Sequence, residues 1–282
     1  MRRHRVLRGP SAAVLGVIAL LLTACSGAAP DDSRGGGAVT PPPAGAGFDY
    51  QLGGPYAPPD GVEVVVRDHT ASPARGLYSV CYVNAFQAQP GAEREWDTDL
   101  LLREDGEDGE DGEVVMDEDW GEALLDIGTA QKRERIAARV YGWIDDCATK
   151  GFDAVEPDNY DSYTRAPEGL LSAGDAEEFL TLLAAHAHDR GLAIGQKNTA
   201  DLAPDREKVG LDFAVAEECG RYRECGAYTD AFGDHVLVIE YDERGLERAC
   251  AGWGDDISVV RRDLDVRPAG RPGYLRETCD DL

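Results

Sequence analysis

The chain has 282 residues, with 28 Lys plus Arg against 54 Asp plus Glu and a formal net charge of −26. A chain this acidic repels phosphate backbones, which excludes nucleic acid as a partner and favours a cationic or neutral one. Its 43% apolar share is that of a globular protein, and its length suits one large domain or two small ones.

The first 24 residues carry Arg2, Arg3, Arg5 and Arg8 without a single acid, then an apolar run from Ala12 to Leu22, then Leu22-Thr23-Ala24-Cys25. A basic start, a short apolar stretch and small residues before a cleavage point describe a secretory signal, not a membrane span. Leu-Thr-Ala-Cys resembles the bacterial lipobox, which implies cleavage before Cys25 and lipidation of that residue. The chain is therefore expected outside the cytoplasm, either lipid-anchored through Cys25 to the outer face of the cell membrane or secreted. Residues 26–47 are rich in Gly, Ala and Pro and read as a flexible tether, so that the folded domain spans 48–282.

Within that domain, short apolar runs alternate with amphipathic segments. Val62–Arg67 and Gly76–Val83 are the first two expected strands. The run Glu104–Glu113 (EDGEDGEDGE) has no apolar side chain and reads as a solvated loop; its spacing does not match a calcium loop. Glu122–Ile127 is the third expected strand. Gln131–Lys150 has Ile136, Val140, Trp143, Ile144 and Cys147 at helical spacing, closed by Gly151. Phe152–Glu156 follows as a strand. Ala173–Arg190 is a second helix, with Ser172 placed to cap it and Gly191 to end it. Leu192–Gln196, Leu211–Ala216, Val236–Ile239 and Ile257–Arg261 complete eight strands. That order and size predict an α/β fold, a (β/α)₈ TIM barrel. The rival, a doubly wound open sheet, would show a glycine-rich turn after its first strand, where this chain has Asp68-His69-Thr70.

Seven cysteines divide into Cys25 and six others, an even number in an exported chain and hence a disulfide set. Six cysteines allow 15 pairings. Cys219 with Cys225 makes the smallest loop, Cys250 with Cys279 would pin the C-terminus, and Cys81 with Cys147 remains. A zinc site finds no Cys-x-x-Cys pair. His186 and His188, two residues apart on one helix, do not share a face and suit packing better than metal binding. Neither a metal nor a cofactor is expected, and the chain is expected to be a monomer.

In a barrel the chemistry sits where strands end. The strand exits here carry Asp68, Tyr82 and Asn84, Asp126, Glu156 to Asn159, Lys197 and Asn198, Glu217, and Glu240 with Tyr241. Paired carboxylates across one such mouth are what glycosidic cleavage needs: one acid protonates the leaving oxygen while the other attacks the sugar carbon or activates water. Asp158, Lys197 and Glu217 end three consecutive strands, so Lys197 would stand between the two acids and help keep Asp158 ionised. A partly desolvated Glu217 would then keep its proton. Asp68, Tyr82, Asp126, Asn159, Lys197, Asn198, Glu240 and Tyr241 are the expected substrate contacts, and Trp96 and Trp120 could stack on sugar rings.

The segment Lys150–Asn159 (KGFDAVEPDN) resembles the KGFDGVEPDN signature of glycoside hydrolase family 114, the endo-α-1,4-polygalactosaminidases. His186–Asn198 (HAHDRGLAIGQKN), Phe213–Cys225 (FAVAEECGRYREC) and Val238–Tyr241 (VIEY) are similar to further motifs of that family, as are Gln51-Leu52 and Cys81-Tyr82. The resemblance spans residues 48–263. It implies a (β/α)₈ fold and hydrolysis of α-1,4-linked galactosamine polymers, with Asp158 as nucleophile and Glu217 as acid/base. Asn84-Ala85-Phe86-Gln87 departs from the family's Ala-Gly-x-x-Glu, Gln196 stands for Leu and Ala216 for Asn, which leaves the substrate open. Two other readings share the barrel: a non-catalytic polysaccharide-binding envelope lipoprotein, and a hydrolase of another α-glycan.

Overall fold

The computed structural model describes residues 39–105 and 111–282. The signal segment, Cys25 and most of the expected tether lie outside the described residues. The strands that build the main sheet are β1 (Phe48–Tyr50), β2 (Val64–Asp68) and β3 (Tyr78–Asn84). An excursion follows, made of β4 (Gln87–Ala88), β5 (Arg103–Asp105), β6 (Asp111–Val114), β7 (Met116–Asp117) and β8 (Glu122–Leu124). The chain then resumes with α1 (Ala130–Lys150), β9 (Ala154–Asp158), α2 (Ala173–Asp189), β10 (Ala193–Lys197) and the short α3 (Arg206–Val209). It ends with β11 (Phe213–Glu217), α4 (Cys219–Tyr222), α5 (Cys225–Phe232), β12 (Val236–Glu240), α6 (Glu243–Trp253), β13 (Ser258–Arg262) and β14 (Arg276–Glu277).

Nine of these form one sheet in the order β1-β2-β3-β9-β10-β11-β12-β13-β14. The first eight are parallel, and β14 runs antiparallel to β13. The sheet curls until β1 and β13 lie within 8 Å, Cα to Cα. Among the described residues no hydrogen-bonded ladder joins those two edges, because β14 occupies the outer edge of β13. Two arginines satisfy the β1 edge instead. Arg262 donates to the Tyr50 carbonyl and Arg276 to that of Phe48, while both guanidinium groups face the buried Asp49 carboxylate at 3.4 and 3.5 Å. Unpaired edge carbonyls buried without a donor would cost more than these side chains do.

Strand alternation sorts the core into two layers. Phe48, Tyr50, Val64, Val66, Val80, Ala154, Ala193, Phe213, Val215, Leu237, Ile239 and Val260 point inward and pack together. Their sequence neighbours, such as Val155, Ile194, Ala214 and Val238, point outward against the helices. Gly195 exists for this packing: a Cβ there would stand 2.7 Å from the Phe213 ring. The helices start and stop as their ends dictate. Thr129 caps α1 and Gly151 ends it at φ 90°, and a Ser172–Asp175 capping box opens α2.

Three expectations need correction. Glu122–Ile127 is no strand of the main sheet. Its first half is β8, antiparallel in a small β4-β8-β7 sheet, and Phe48–Tyr50 is the eighth parallel strand in its place. The end of the expected tether is packed, with Pro42 and Ala46 buried and Val39 against the inner core. Gly47 permits this because a Cβ there would stand 2.0 Å from the Gly61 carbonyl oxygen. The flanks of the acidic run pair as the β5–β6 hairpin, while residues 106–110 lie outside the described residues. All three expected disulfides are present: Cys81–Cys147, Cys219–Cys225 and Cys250–Cys279.

Candidate active site

A cavity of about 410 Å³ opens at the carboxyl ends of β3, β9, β10 and β11, within the usual range for ligand sites. Asp158, Lys197 and Glu217 are the last residues of neighbouring strands, and all three have inward parity. The backbone turns sharply just after each exit, with left-handed φ at Asn159, Asn198 and Glu218. Such conformations are uncommon outside glycine and concentrate at functional sites.

Lys197 is buried at the centre. Its Nζ lies 3.0 Å from Asp158 Oδ1, 3.0 Å from Glu156 Oε1 and 3.4 Å from Glu217 Oε2. Burial opposes its charge, but the facing Asp158 and Glu217 carboxylates outweigh that and hold its pKa well above the usual lysine value. Each outer acid also has its own phenol. Tyr82 Oη donates to Asp158 Oδ2 at 2.6 Å, and Tyr241 Oη donates to Glu217 Oε1. Asn198 grips Glu217 twice, through its side-chain amide to Oε2 at 3.1 Å and through its Oδ1 to the Glu217 N–H at 2.9 Å.

The environments of the carboxylates differ. Burial alone would raise the Asp158 pKa, yet the Lys197 charge and the donated bonds from Tyr82 and Lys197 bring it below the ordinary aspartate value. Glu156 is fully buried, and desolvation pushes it up to about 7 although Lys197 and Tyr50 both donate to it. One Oε2 of Glu156 has no partner. An ionised acid with a buried, proton-holding neighbour is the division of roles that enzymes impose on carboxylate clusters.

Of the expected contacts, Tyr82, Asn159, Lys197, Asn198 and Tyr241 line the cavity with Asp158 and Glu217. Three do not. Asp68 turns back onto the Thr70 N–H at 2.9 Å. Asp126 lies in the excursion and pairs with Lys132. Glu240 has outward parity; it accepts the Gly220 N–H at 2.7 Å behind the sheet, and desolvation raises its pKa to about 7. Trp96 is buried under Arg139 and against Trp143, so it cannot stack on a ligand, whereas Trp120 lines the cavity and is 60% exposed.

Sequence reasoning placed Glu156 and Asp161 at the exit of their strand without giving them a role, and missed Tyr50, Glu122, Arg165 and the 264–266 loop. Glu156 was within reach, since it lies two residues before Asp158 and so on the same face of the strand. Among the described residues, the single cluster of potential metal ligands is Cys219, Cys225 and Glu240, and its two sulfurs are joined in a disulfide.

An α/β sheet with an acid pair at the carboxyl ends of its parallel strands is the architecture of a glycosidase. The model of glycoside hydrolase family GH114 matches residues 29–282, and the chain belongs to that family. Its structure is similar to that of Ega3 from Aspergillus fumigatus, solved in complex with galactosamine, with 25% identity and a TM-score of 0.64 over 86% of this chain and 100% of that one. It is also similar in fold to the glycoside hydrolase domain of PelA from Pseudomonas aeruginosa, with 13% identity and a TM-score of 0.55 over 80% and 97% of the two chains. No sequence match emerges among curated proteins.

Proposed function

We propose that this protein is an extracytoplasmic endo-glycosidase that cleaves α-1,4-linked galactosamine polymers, with Asp158 as nucleophile and Glu217 as acid/base. The observation that carries the reading is the charge of the cavity. Glu122, Asp158, Asp161, Glu217 and Asp265 line it against two cations, Arg165 and Lys197, both already engaged by carboxylates. A de-N-acetylated amino-sugar polymer is a polycation and complements such a surface. The galactosamine bound by the similar Ega3 supports the same sugar. The curled sheet is read here as a closed (β/α)₈ barrel whose last seam is spanned by arginine side chains and β14. Export and anchoring follow from the signal segment and Cys25, and the chain is taken to act as a monomer.

The chemistry then runs in two steps. Glu217 gives its proton to the glycosidic oxygen while Asp158 Oδ attacks the anomeric carbon, forming a glycosyl ester as the leaving chain departs neutral. Glu217, now a carboxylate, takes a proton from water, and that oxygen displaces Asp158. Lys197 keeps Asp158 ionised for the attack, and its reach to both acids favours the short separation of a retaining pair over the roughly 6.5–9.5 Å of an inverting one.

The test is product analysis after incubation with a panel of amino-sugar and neutral α-glycans. Oligomers released from de-N-acetylated polygalactosamine, with retained anomeric configuration, are expected. Binding without release would leave a carbohydrate-binding lipoprotein, and release from a neutral glycan alone would move the substrate elsewhere.

A further inference from the structure

Glu156 is the buried acid that the two-step chemistry leaves unused. It lies two residues before Asp158 on β9, on the same inward face and deeper in the sheet. It is fully buried and does not line the cavity, so it can act on the reaction only through other side chains. Those are Tyr50, whose Oη donates to Glu156 Oε1 at 2.7 Å, and Lys197, whose Nζ donates to the same oxygen at 3.0 Å. Glu156 Oε2 has no partner.

An ammonium has three protons to donate, and Lys197 Nζ faces four oxygens. Glu156 Oε1 and Asp158 Oδ1 stand at 3.0 Å, Tyr50 Oη at 3.2 Å and Glu217 Oε2 at 3.4 Å. Among the described residues Lys197 is the one cation within 4 Å of any of these three carboxylates. During the reaction the two outer acids exchange charge. Asp158 is the anion before the attack, and Glu217 is the anion once the glycosyl ester has formed. The pair carries one negative charge throughout, and the ammonium already lies within 3.4 Å of both acids. The contact that stops it from settling on either is the one beneath, to Glu156.

A neutral Glu156 suits this task. Its free Oε2 can take a proton without displacing a donor, whereas an ionised Glu156 would set another anion against the single cation in a site closed to water. Four groups face it: Tyr50 on β1, Tyr82 in register with it on β3, Asp158 on its own strand and Lys197 on β10. They bring one positive charge, which Asp158 already engages, so desolvation prevails and the Glu156 pKa rises to about 7.

We propose that Glu156 is a positioning residue. By holding Lys197 from beneath, it keeps one ammonium shared between Asp158 and Glu217, so that the cation follows the negative charge from one acid to the other as the glycosyl ester forms and breaks. The proposal rests on the glycosidase reading and deepens it. Glutamine, with the same acceptor oxygen and an amide in place of Oε2, copies the neutral acid. Leucine fills the space and removes the anchor.

The experiment compares the wild type with Glu156→Gln and Glu156→Leu in two readouts, and Glu156→Met replaces the leucine variant should that one not fold. The first readout needs no substrate. The chain has four lysines, of which only Lys197 is buried, so NMR of protein labelled with ¹⁵N-lysine should show one ammonium shielded from exchange. Glu156→Gln should leave that resonance in place and Glu156→Leu should move it. The second readout is turnover of de-N-acetylated polygalactosamine per folded enzyme. Glu156→Gln should keep the wild-type kcat, and Glu156→Leu should lower kcat about 10- to 100-fold with KM nearly unchanged. A Lys197 resonance unmoved by leucine, a leucine variant with wild-type kcat, or a glutamine variant as slow as the leucine one would each refute the positioning role while the enzyme reading stands. A wild type that cleaves no galactosamine polymer overturns that reading and the kinetic role with it, and the resonance then reports on the anchor alone.

Discussion

Lys197 Nζ lies 3.0 Å from Asp158 Oδ1 across adjacent parallel strands, and the same ammonium reaches Glu217 and Glu156. One buried cation therefore organises three carboxylates. Removing it as Lys197→Met leaves them facing each other in a largely dry site, which should cost about 3–5 kcal/mol of stability. It should also raise the Asp158 pKa, moving the acidic limb of the kcat/KM profile to higher pH. Urea denaturation and a pH–rate profile read the two effects; an unshifted acidic limb would contradict the role given to Lys197.

With Glu217 as the proposed proton donor, Glu217→Gln should lower kcat/KM on polymer by about 10²- to 10⁴-fold. On an aryl glycoside, whose leaving group departs without a proton, the loss should be much smaller. With Asp158 as the proposed nucleophile, Asp158→Asn should impair both substrates alike. Equal behaviour of the two variants on the activated substrate would show that the roles are misassigned.

Stability should fall as pH rises from 4.5 to about 7. Glu156 has a folded pKa of about 7 against 4.5 for an ordinary glutamate, and Glu240 is raised similarly. In that window the folded chain binds more protons than the unfolded one, so stability declines with pH. Asp158 acts in the opposite sense. Its pKa lies below 3.8, so its contribution is present above that value and lost on acidification. Melting temperature against pH should therefore peak in mild acid, and Glu156→Gln should flatten the decline toward neutrality. A Glu156→Gln curve parallel to wild type would remove Glu156 as its source.

The disulfides should contribute unequally. Cys81–Cys147 closes a loop of 66 residues and Cys219–Cys225 one of 6. Loop-closure entropy gives about 4 kcal/mol for the first and about 2 kcal/mol for the second. Paired alanine replacements, compared by denaturant titration, test this order.

An anionic cavity that recruits a polycation should be sensitive to salt. Raising ionic strength from about 0.1 M to about 1 M shortens the Debye length from about 10 Å to about 3 Å. KM for a galactosamine polymer should rise accordingly while kcat stays nearly constant. A neutral oligosaccharide should show no such trend, and a salt-independent KM for the polymer would argue against electrostatic recruitment.

Much of the fold could be read locally. The helices α1 and α2 follow from apolar spacing and from their capping residues Thr129, Gly151 and Ser172. The exits of β9, β10 and β11 follow from apolar runs ending at Asp158, Lys197 and Glu217. β1, with three residues, is too short to stand out from the segment before it. The Glu122 segment is as apolar as a barrel strand, yet it pairs antiparallel with β7 and β4 instead. Glu240 fails as a ligand through parity alone, one residue out of phase with the inward-facing Tyr241.

By itself, the sequence determined the rhythm of strands and helices and the inward phase of Asp158, Lys197 and Glu217, because alternation and capping act over a few residues. Tertiary structure alone decided that Tyr50, Tyr82 and Tyr241 converge on those three side chains, and that the β7–β8 turn carries Trp120 and Glu122 to the same cavity. These meetings depend on strand order, register and the curl of the whole sheet, which brings together side chains as far apart in the chain as Tyr50 and Tyr241.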